Sequence, residues 1–189
     1  VIHGKYKHVE TRATFSHAQR NAKSVIIRDM KEAQWIADFV EGRMEQEQFL
    51  KNFAGKCSEN FDPNVDFQRI GVVNQTTMLA SETEEIAAYL KQVVQARFGA
   101  DAFADTRDTL CYATNENQMA VMELLQVPAE LSIVIGGHKS SNTFQLATIL
   151  NTKMKTYFIE DASAIAEKSI RYLDLKSMEI KTDIFDLTA

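Results

Sequence analysis

Residues 131–143 read Leu131-Ser132-Ile133-Val134-Ile135-Gly136-Gly137-His138-Lys139-Ser140-Ser141-Asn142-Thr143. A run of strand length, rich in β-branched residues, stops at two glycines. A cluster of hydroxyl and amide residues then opens a stretch of helical period. An earlier segment repeats this order: Arg69-Ile70-Gly71-Val72-Val73-Asn74 leads through Gln75-Thr76-Thr77 toward a helix, with Ile86, Tyr89, Leu90, Val93 and Val94 on one face and acids (Glu82, Glu84, Glu85) in its first turn. Two further runs, Ser24-Val25-Ile26-Ile27-Arg28 and Thr156-Tyr157-Phe158-Ile159, also have strand character. After the first of these, Asp29 is placed to cap a helix carrying Ala33, Ile36, Ala37 and Val40, and a second amphipathic stretch holds Phe49, Leu50 and Phe53. Strands alternating with helices predict an α/β fold, built as small parallel-sheet domains with flanking helices. The segment 58–66, with Asp62-Pro63-Asn64, reads as a loop. Gly99 to Asp108 lacks periodicity and is the expected internal boundary, giving domains at 1–105 and 106–189.

Composition narrows the function. The 189 residues are 45% hydrophobic and 25% charged, with 7 Gly and 2 Pro, which excludes linker-dominated and collagen-like chains. No apolar stretch approaches the about 18 residues of a membrane span. A net charge of -5 argues against nucleic-acid binding, which needs a basic face. Cys57 and Cys111 form no CxxC and no disulfide framework, as expected of a reducing compartment. The chain starts at Val1 rather than Met, within what reads as the end of a strand, so processing or truncation upstream is expected.

Three groups of residues could do chemistry. The two turns, Asn74 to Thr77 and Gly136 to Thr143, lie at the carboxyl ends of strands, where open α/β sheets bind ligands and where helix N–H groups favour anions. The alternative for each turn is a simple helix cap, and the glycines also suit a tight strand-to-helix turn. His3, His8, Glu10 and His17 cluster near the start of the chain. They read as metal ligands, as solvated loop histidines, or, for His8 and Glu10 two residues apart in an extended segment, as a proton relay. Cys111 precedes a helix expected over Glu116 to Leu125 and capped by Thr114 or Asn115. There it is either a nucleophile or metal thiolate with a lowered pKa, or an inert buried thiol. Cys57 reads as structural.

Four strings together carry a more specific signal. His8-Val9-Glu10-Thr11, Asn74-Gln75-Thr76-Thr77-Met78-Leu79, Asp108-Thr109-Leu110-Cys111-Tyr112-Ala113-Thr114 and Gly136 to Thr143 stand in the order found in the 4-hydroxy-3-methylbut-2-enyl diphosphate reductase (IspH, or LytB) family. The chain resembles that family over nearly its whole length. Ile2-His3-Gly4-Lys5-Tyr6-Lys7-His8 and Phe61-Asp62-Pro63-Asn64-Val65-Asp66 look like its plant and cyanobacterial branch.

The resemblance implies an iron–sulfur reductase of the methylerythritol phosphate pathway that converts an allylic diphosphate to isopentenyl and dimethylallyl diphosphate. It also implies a trefoil of three α/β domains around a 4Fe-4S cluster held by three cysteines. By position, Cys111 matches the third cluster ligand and Glu10 the proton-feeding carboxylate. His8 matches the imidazole beside the diphosphate, Thr76 the threonine near the substrate hydroxyl, with Gln75 and Thr77 flanking it, and Ser140, Ser141 and Asn142 the diphosphate-binding residues. Lys139 departs from the asparagine usual in the family. Neither the first two cluster cysteines nor the final Gly-Ala-Ser-Thr-Pro-like string has a counterpart here. The expectation is therefore a central domain and most of a third domain of a longer reductase, inactive alone. Ferredoxin or flavodoxin is the implied electron donor, with no membrane or nucleic-acid partner. The implied location is bacterial cytoplasm or plastid stroma. The competing readings are a phosphate-binding α/β module without a cluster, and a zinc hydrolase using His3, His8 and Cys111.

Overall fold

A computed structural model describes residues 1–104, 106 and 112–184 and divides the chain into two compact units, Val1–Cys111 and Tyr112–Ala189. In the first unit the elements run β1 (Ile2–His3), α1 (Val9–Ala18), β2 (Ile26–Ile27), α2 (Met30–Val40), α3 (Gln46–Asn52), α4 (Pro63–Asp66), β3 (Val73–Asn74) and α5 (Ala80–Phe98). The three strands are parallel in the order β2-β1-β3, with Ile2 opposite both Ile26 and Val73. The central strand is thus the first in sequence, and the chain leaves it toward one side and returns on the other.

Local chemistry explains most of these elements. Asp29 Oδ1 accepts the Glu32 N–H at 3.1 Å, and the helix it caps buries Ala33, Ile36, Ala37 and Val40, spaced for one face. That face packs on α5, which buries Ile86, Leu90, Val93 and Val94. Phe49, Phe53 and Phe67 are fully buried in the same cluster as Ile27 of β2 and the α2 and α5 residues. Within segment 58–66 the structure has a short helix where a loop is expected. Asp62 accepts the Asn64 N–H at 3.0 Å, and Pro63 occupies the first helical position, where its missing N–H costs nothing. The expected strand runs at 24–28 and 69–74 shrink to two residues each, because a strand is only as long as its partner and β1 ends at His3. Val25 and Ile70 make isolated bridges instead, to Cys57 and Phe103.

The second unit holds α6 (Tyr112–Leu124), β4 (Leu131–Ile135), α7 (Ser141–Leu150), β5 (Lys155–Ile159), β6 (Ile165–Ala166), β7 (Ser169–Leu173) and β8 (Ile180–Ile184). β4 and β5 are parallel, joined by α7, as the sequence predicts. The sheet is not parallel throughout, however. β7 pairs antiparallel with β5, β6 and β8, and for β6 and β8 the short connections to β7 permit only that direction. α6 starts at Tyr112, so Thr114 and Asn115 lie inside the helix and are not its caps.

Candidate functional site

In a sheet ordered β2-β1-β3, the crevice outside the carboxyl ends of β1 and β3 is the point where the strand order reverses, the usual ligand position in open α/β sheets. Gly4 and Gln75 follow those two strands. Gln75 is fully buried and its backbone N–H donates to the His3 carbonyl at 2.8 Å. Its Oε1 accepts from the Lys5 N–H at 3.1 Å and the Thr11 hydroxyl at 3.0 Å, while Nε2 donates to Thr77 Oγ1 at 2.7 Å. A Cβ on Gly4 would stand 2.5 Å from Thr11 Oγ1 and 3.0 Å from Gln75 Cβ, so only glycine fits this approach. Gln75 thus spends its amide inside the protein and braces the loop that carries Thr76.

Across this brace Glu10 Oε1 accepts the backbone N–H of Thr76 at 2.6 Å, a charge-assisted bond joining two segments 66 residues apart. Glu10 is half-buried in the first turn of α1, and His8 is the extended residue preceding that helix. The expected geometry, both side chains on one side of an extended segment, does not occur. With His8 outside α1 and Glu10 inside it, the two-residue alternation of an extended segment no longer relates their side chains. What brings Glu10 to Thr76 is the start of α1 at the sheet edge.

His3 is neither a solvated loop residue nor a free metal ligand. It is fully buried in β1, with Nδ1 2.9 Å from Thr83 Oγ1 and Nε2 3.2 Å from the Arg28 carbonyl. That carbonyl can only accept, so Nε2 carries the hydrogen and, in the neutral ring, Nδ1 accepts from the threonine. No group of three or more His, Cys, Asp or Glu suited to a metal occurs among the described residues. Burial pushes the His3 pKa below its ordinary 6.5, against smaller upward pulls from the Arg28 carbonyl and Asp29. A folded value below the unfolded one gives stability that is whole above about pH 6.5 and drains as pH falls toward the folded value. We therefore expect the first unit to unfold at lower urea concentration at about pH 5.5 than at about pH 7.5, read by fluorescence of Trp35, the sole tryptophan. The His3→Asn variant separates this from the buried Val1 amine, which burial lowers to about 5 and whose contribution has the same sign, and from Glu82, whose pKa is raised by burial and then by Asp29 and Glu85 and whose contribution has the opposite sign. An acid midpoint equal to the neutral one would contradict the expectation.

In the second unit, Ser140 caps α7. Its Oγ accepts the Thr143 N–H at 3.2 Å and the Thr143 hydroxyl at 2.9 Å. Ser141 and Asn142 are the first two helical residues, and Asn142 Oδ1 is buried with no hydrogen-bond partner among the described residues. The two glycines divide their work. A Cβ on Gly136 would meet Thr143 Cγ2 at 2.9 Å, whereas one on Gly137 would meet nothing within 4 Å, so Gly136 serves packing and Gly137 leaves the turn open. His138 faces the Phe158 carbonyl at 3.3 Å and Glu160 at 3.8 Å. Lys139 is exposed.

Of the two cysteines, Cys57 is partly buried, and burial pushes its thiol up to about 11, which disfavours the thiolate. Cys111 lies outside the described residues, immediately before α6. Of the residues that build the first site, Thr83 carries no signal in the sequence, and His3, Gly4 and Thr11 appear there only inside quoted strings or as a candidate metal ligand, not as the braces they are.

Residues 1–180 match the family model described as LytB protein. The chain is 39% identical over 189 residues to the 4-hydroxy-3-methylbut-2-enyl diphosphate reductase of Prochlorococcus marinus (strain NATL1A), covering 97% of this chain and 46% of that protein. It is 40% identical over 188 residues to the enzyme of that name in Trichormus variabilis, with the same coverage of 97% and 46%. The structure of the E-1-hydroxy-2-methyl-but-2-enyl-4-diphosphate reductase from Plasmodium falciparum superposes with a TM-score of 0.56 at 19% identity, over 87% of this chain and 41% of that one. The latter similarity concerns the fold. The chain spans about half the length of the curated relatives it matches.

Proposed function

Because the chain belongs to the LytB family, we propose that it is part of an iron–sulfur reductase acting on 4-hydroxy-3-methylbut-2-enyl diphosphate. Two electrons and two protons replace the allylic C–O bond by C–H and release water, giving isopentenyl or dimethylallyl diphosphate. The observation that carries this reading is the Glu10 to Thr76 contact at 2.6 Å. Two motifs distant in sequence, both matched to the substrate hydroxyl by resemblance, meet at the sheet edge where ligands bind. In this role Glu10 delivers a proton toward the leaving hydroxyl, Thr76 orients that hydroxyl, and Gln75 with Thr77 holds the loop. His8, Ser140, Ser141 and Asn142 bind the diphosphate, the last three on a helix N-terminus that favours anions. The open Gly137 supports that assignment.

The described residues do not by themselves fit a 4Fe-4S cluster: Cys57 is disfavoured as a thiolate, and no ligand group stands among them. Cys111 is proposed as one of three thiolates, the others lying outside these 189 residues. Such a cluster would supply the electrons and an open Lewis-acid iron. Residues 1–105 and 106–189 are proposed as the second and third domains of the trefoil, with ferredoxin or flavodoxin as donor. Among the described residues no helix is long and apolar enough to cross a membrane. The cyanobacterial relatives support a cytoplasmic or plastid-stromal setting.

The test uses the full-length reductase, reconstituted anaerobically with iron and sulfide. Cys111→Ser should abolish both the visible cluster absorption and turnover. Ser140→Ala should keep the absorption and raise KM by the equivalent of about 1–3 kcal/mol, while removing a cap worth about 1 kcal/mol to the second unit. Turnover that survives Cys111→Ser would refute the reductase reading. Diphosphate binding without any turnover would favour the cluster-free phosphate-binding module.

A further inference from the structure

His3 is not one of the residues that the proposed reaction uses, yet it is fully buried at the carboxyl end of the central strand. Its backbone and its ring hold the two ends of one loop. The His3 carbonyl accepts the N–H of Gln75, where the chain leaves β3. The ring meets the hydroxyl of Thr83 at 2.9 Å, in the first turn of α5. Between these anchors lie Thr76 and Thr77. The second ring nitrogen donates to the Arg28 carbonyl at 3.2 Å, tying the same anchor to the turn between β2 and α2.

We infer that His3 is a positioning residue that staples both ends of the loop from Gln75 to Thr83 to the central strand and so sets the Thr76 amide against Glu10. The inference deepens the proposed role of this site. The charged groups facing the ring are Glu82, with Oε2 4.0 Å from Nε2, and Asp29, whose carboxylate is held by the Arg28 guanidinium at 2.8 Å. Thr83 completes the staple as a two-way hydroxyl. It lies 3.1 Å from the Leu79 carbonyl as well as against His3, and has one hydrogen to give. With the ring neutral that hydrogen goes to Nδ1. With the ring protonated Nδ1 donates instead, and the hydroxyl turns to Leu79. Either way the contact persists, which suits a positioning role.

The test is amide hydrogen exchange on the 189-residue chain, which does not depend on the reductase reading. Thr83→Val keeps the β-branched shape and removes only the hydroxyl. It should raise exchange at Thr76 and Thr77 by about tenfold or more, with Ile27 in β2 unchanged. His3→Leu should do the same, the double variant should exchange no faster than His3→Leu alone, and His3→Asn should restore part of the protection. Unchanged exchange at Thr76 and Thr77 in Thr83→Val, or strictly additive effects in the double variant, would overturn the inference. Should His3→Leu fail to fold, Thr83→Val decides alone. In the full-length reductase Thr83→Val should lower kcat by about tenfold with KM and cluster absorption retained. A reductase inactive in its unsubstituted form would count against the proposed function and leave the exchange result standing.

Discussion

Replacing Glu10 by glutamine in the full-length reductase is expected to lower kcat by about 10²- to 10⁴-fold, the range for loss of a positioned proton donor. The substitution isolates that role. Glutamine has the shape of glutamate, and its carbonyl oxygen can still accept the Thr76 N–H that now stands 2.6 Å from Glu10 Oε1, so the loop is kept in place. What disappears is the acidic proton and the charge. KM should change little, because diphosphate affinity is proposed to come from His8, Ser140, Ser141 and Asn142, and visible absorption should stay, because Glu10 is no thiolate. A kcat within threefold or so of the parent would remove Glu10 from the proton path. A parallel loss of absorption would instead make it a support of the cluster.

The contact behind this expectation shows what the sequence could and could not convey. Motif order indicates that Glu10 and Thr76 belong to one site, but nothing in period or spacing brings together residues 66 apart. The proposed means, an extended segment with His8 and Glu10 on one side, fails because α1 begins at Val9. That helix is hard to read because Val9 to Ala18 carries scarcely any apolar stripe: Val9 is exposed and Thr11 is its buried residue. α2 was legible for the opposite reason, with the Asp29 cap and four buried residues on one face all agreeing. β4 and β5 were legible too, as five-residue runs rich in apolar side chains. β6 to β8 were not, since Ile180 to Ile184 is largely exposed and the antiparallel pairing follows from short connections rather than from an apolar run. His3 escaped for a subtler reason. A histidine beside His8 and Glu10 invites a metal or solvent reading, and only the fold reveals acceptors and a hydroxyl waiting on both sides of its ring.

The aromatic cluster in the core of the first unit should give the largest effect on stability. Phe49 is fully buried and touches four other rings: Phe53 at 4.7 Å between centroids, Phe39 at 5.2 Å, Phe67 edge-on at 5.3 Å and Phe61 at 6.3 Å. Phe49→Ala removes the hub of this cluster and is expected to cost about 3–5 kcal/mol, the range for a buried phenylalanine whose surroundings collapse only in part. Domains are commonly stable by only about 5–15 kcal/mol, so the loss is a large share. Trp35, in the first unit, packs edge-on against Phe53 at 5.9 Å, which makes its fluorescence a direct report on this core. The fluorescence-detected urea midpoint should therefore fall sharply in Phe49→Ala, whereas Phe158→Ala, in the core of the second unit, should leave it where it is. A shift of comparable size from Phe158→Ala would show that the two units unfold as one cooperative body. If only Phe49→Ala moves it, the platform carrying Gly4, Glu10 and Thr76 has its own stability, and variants of that site can be judged by a probe that the second unit does not reach.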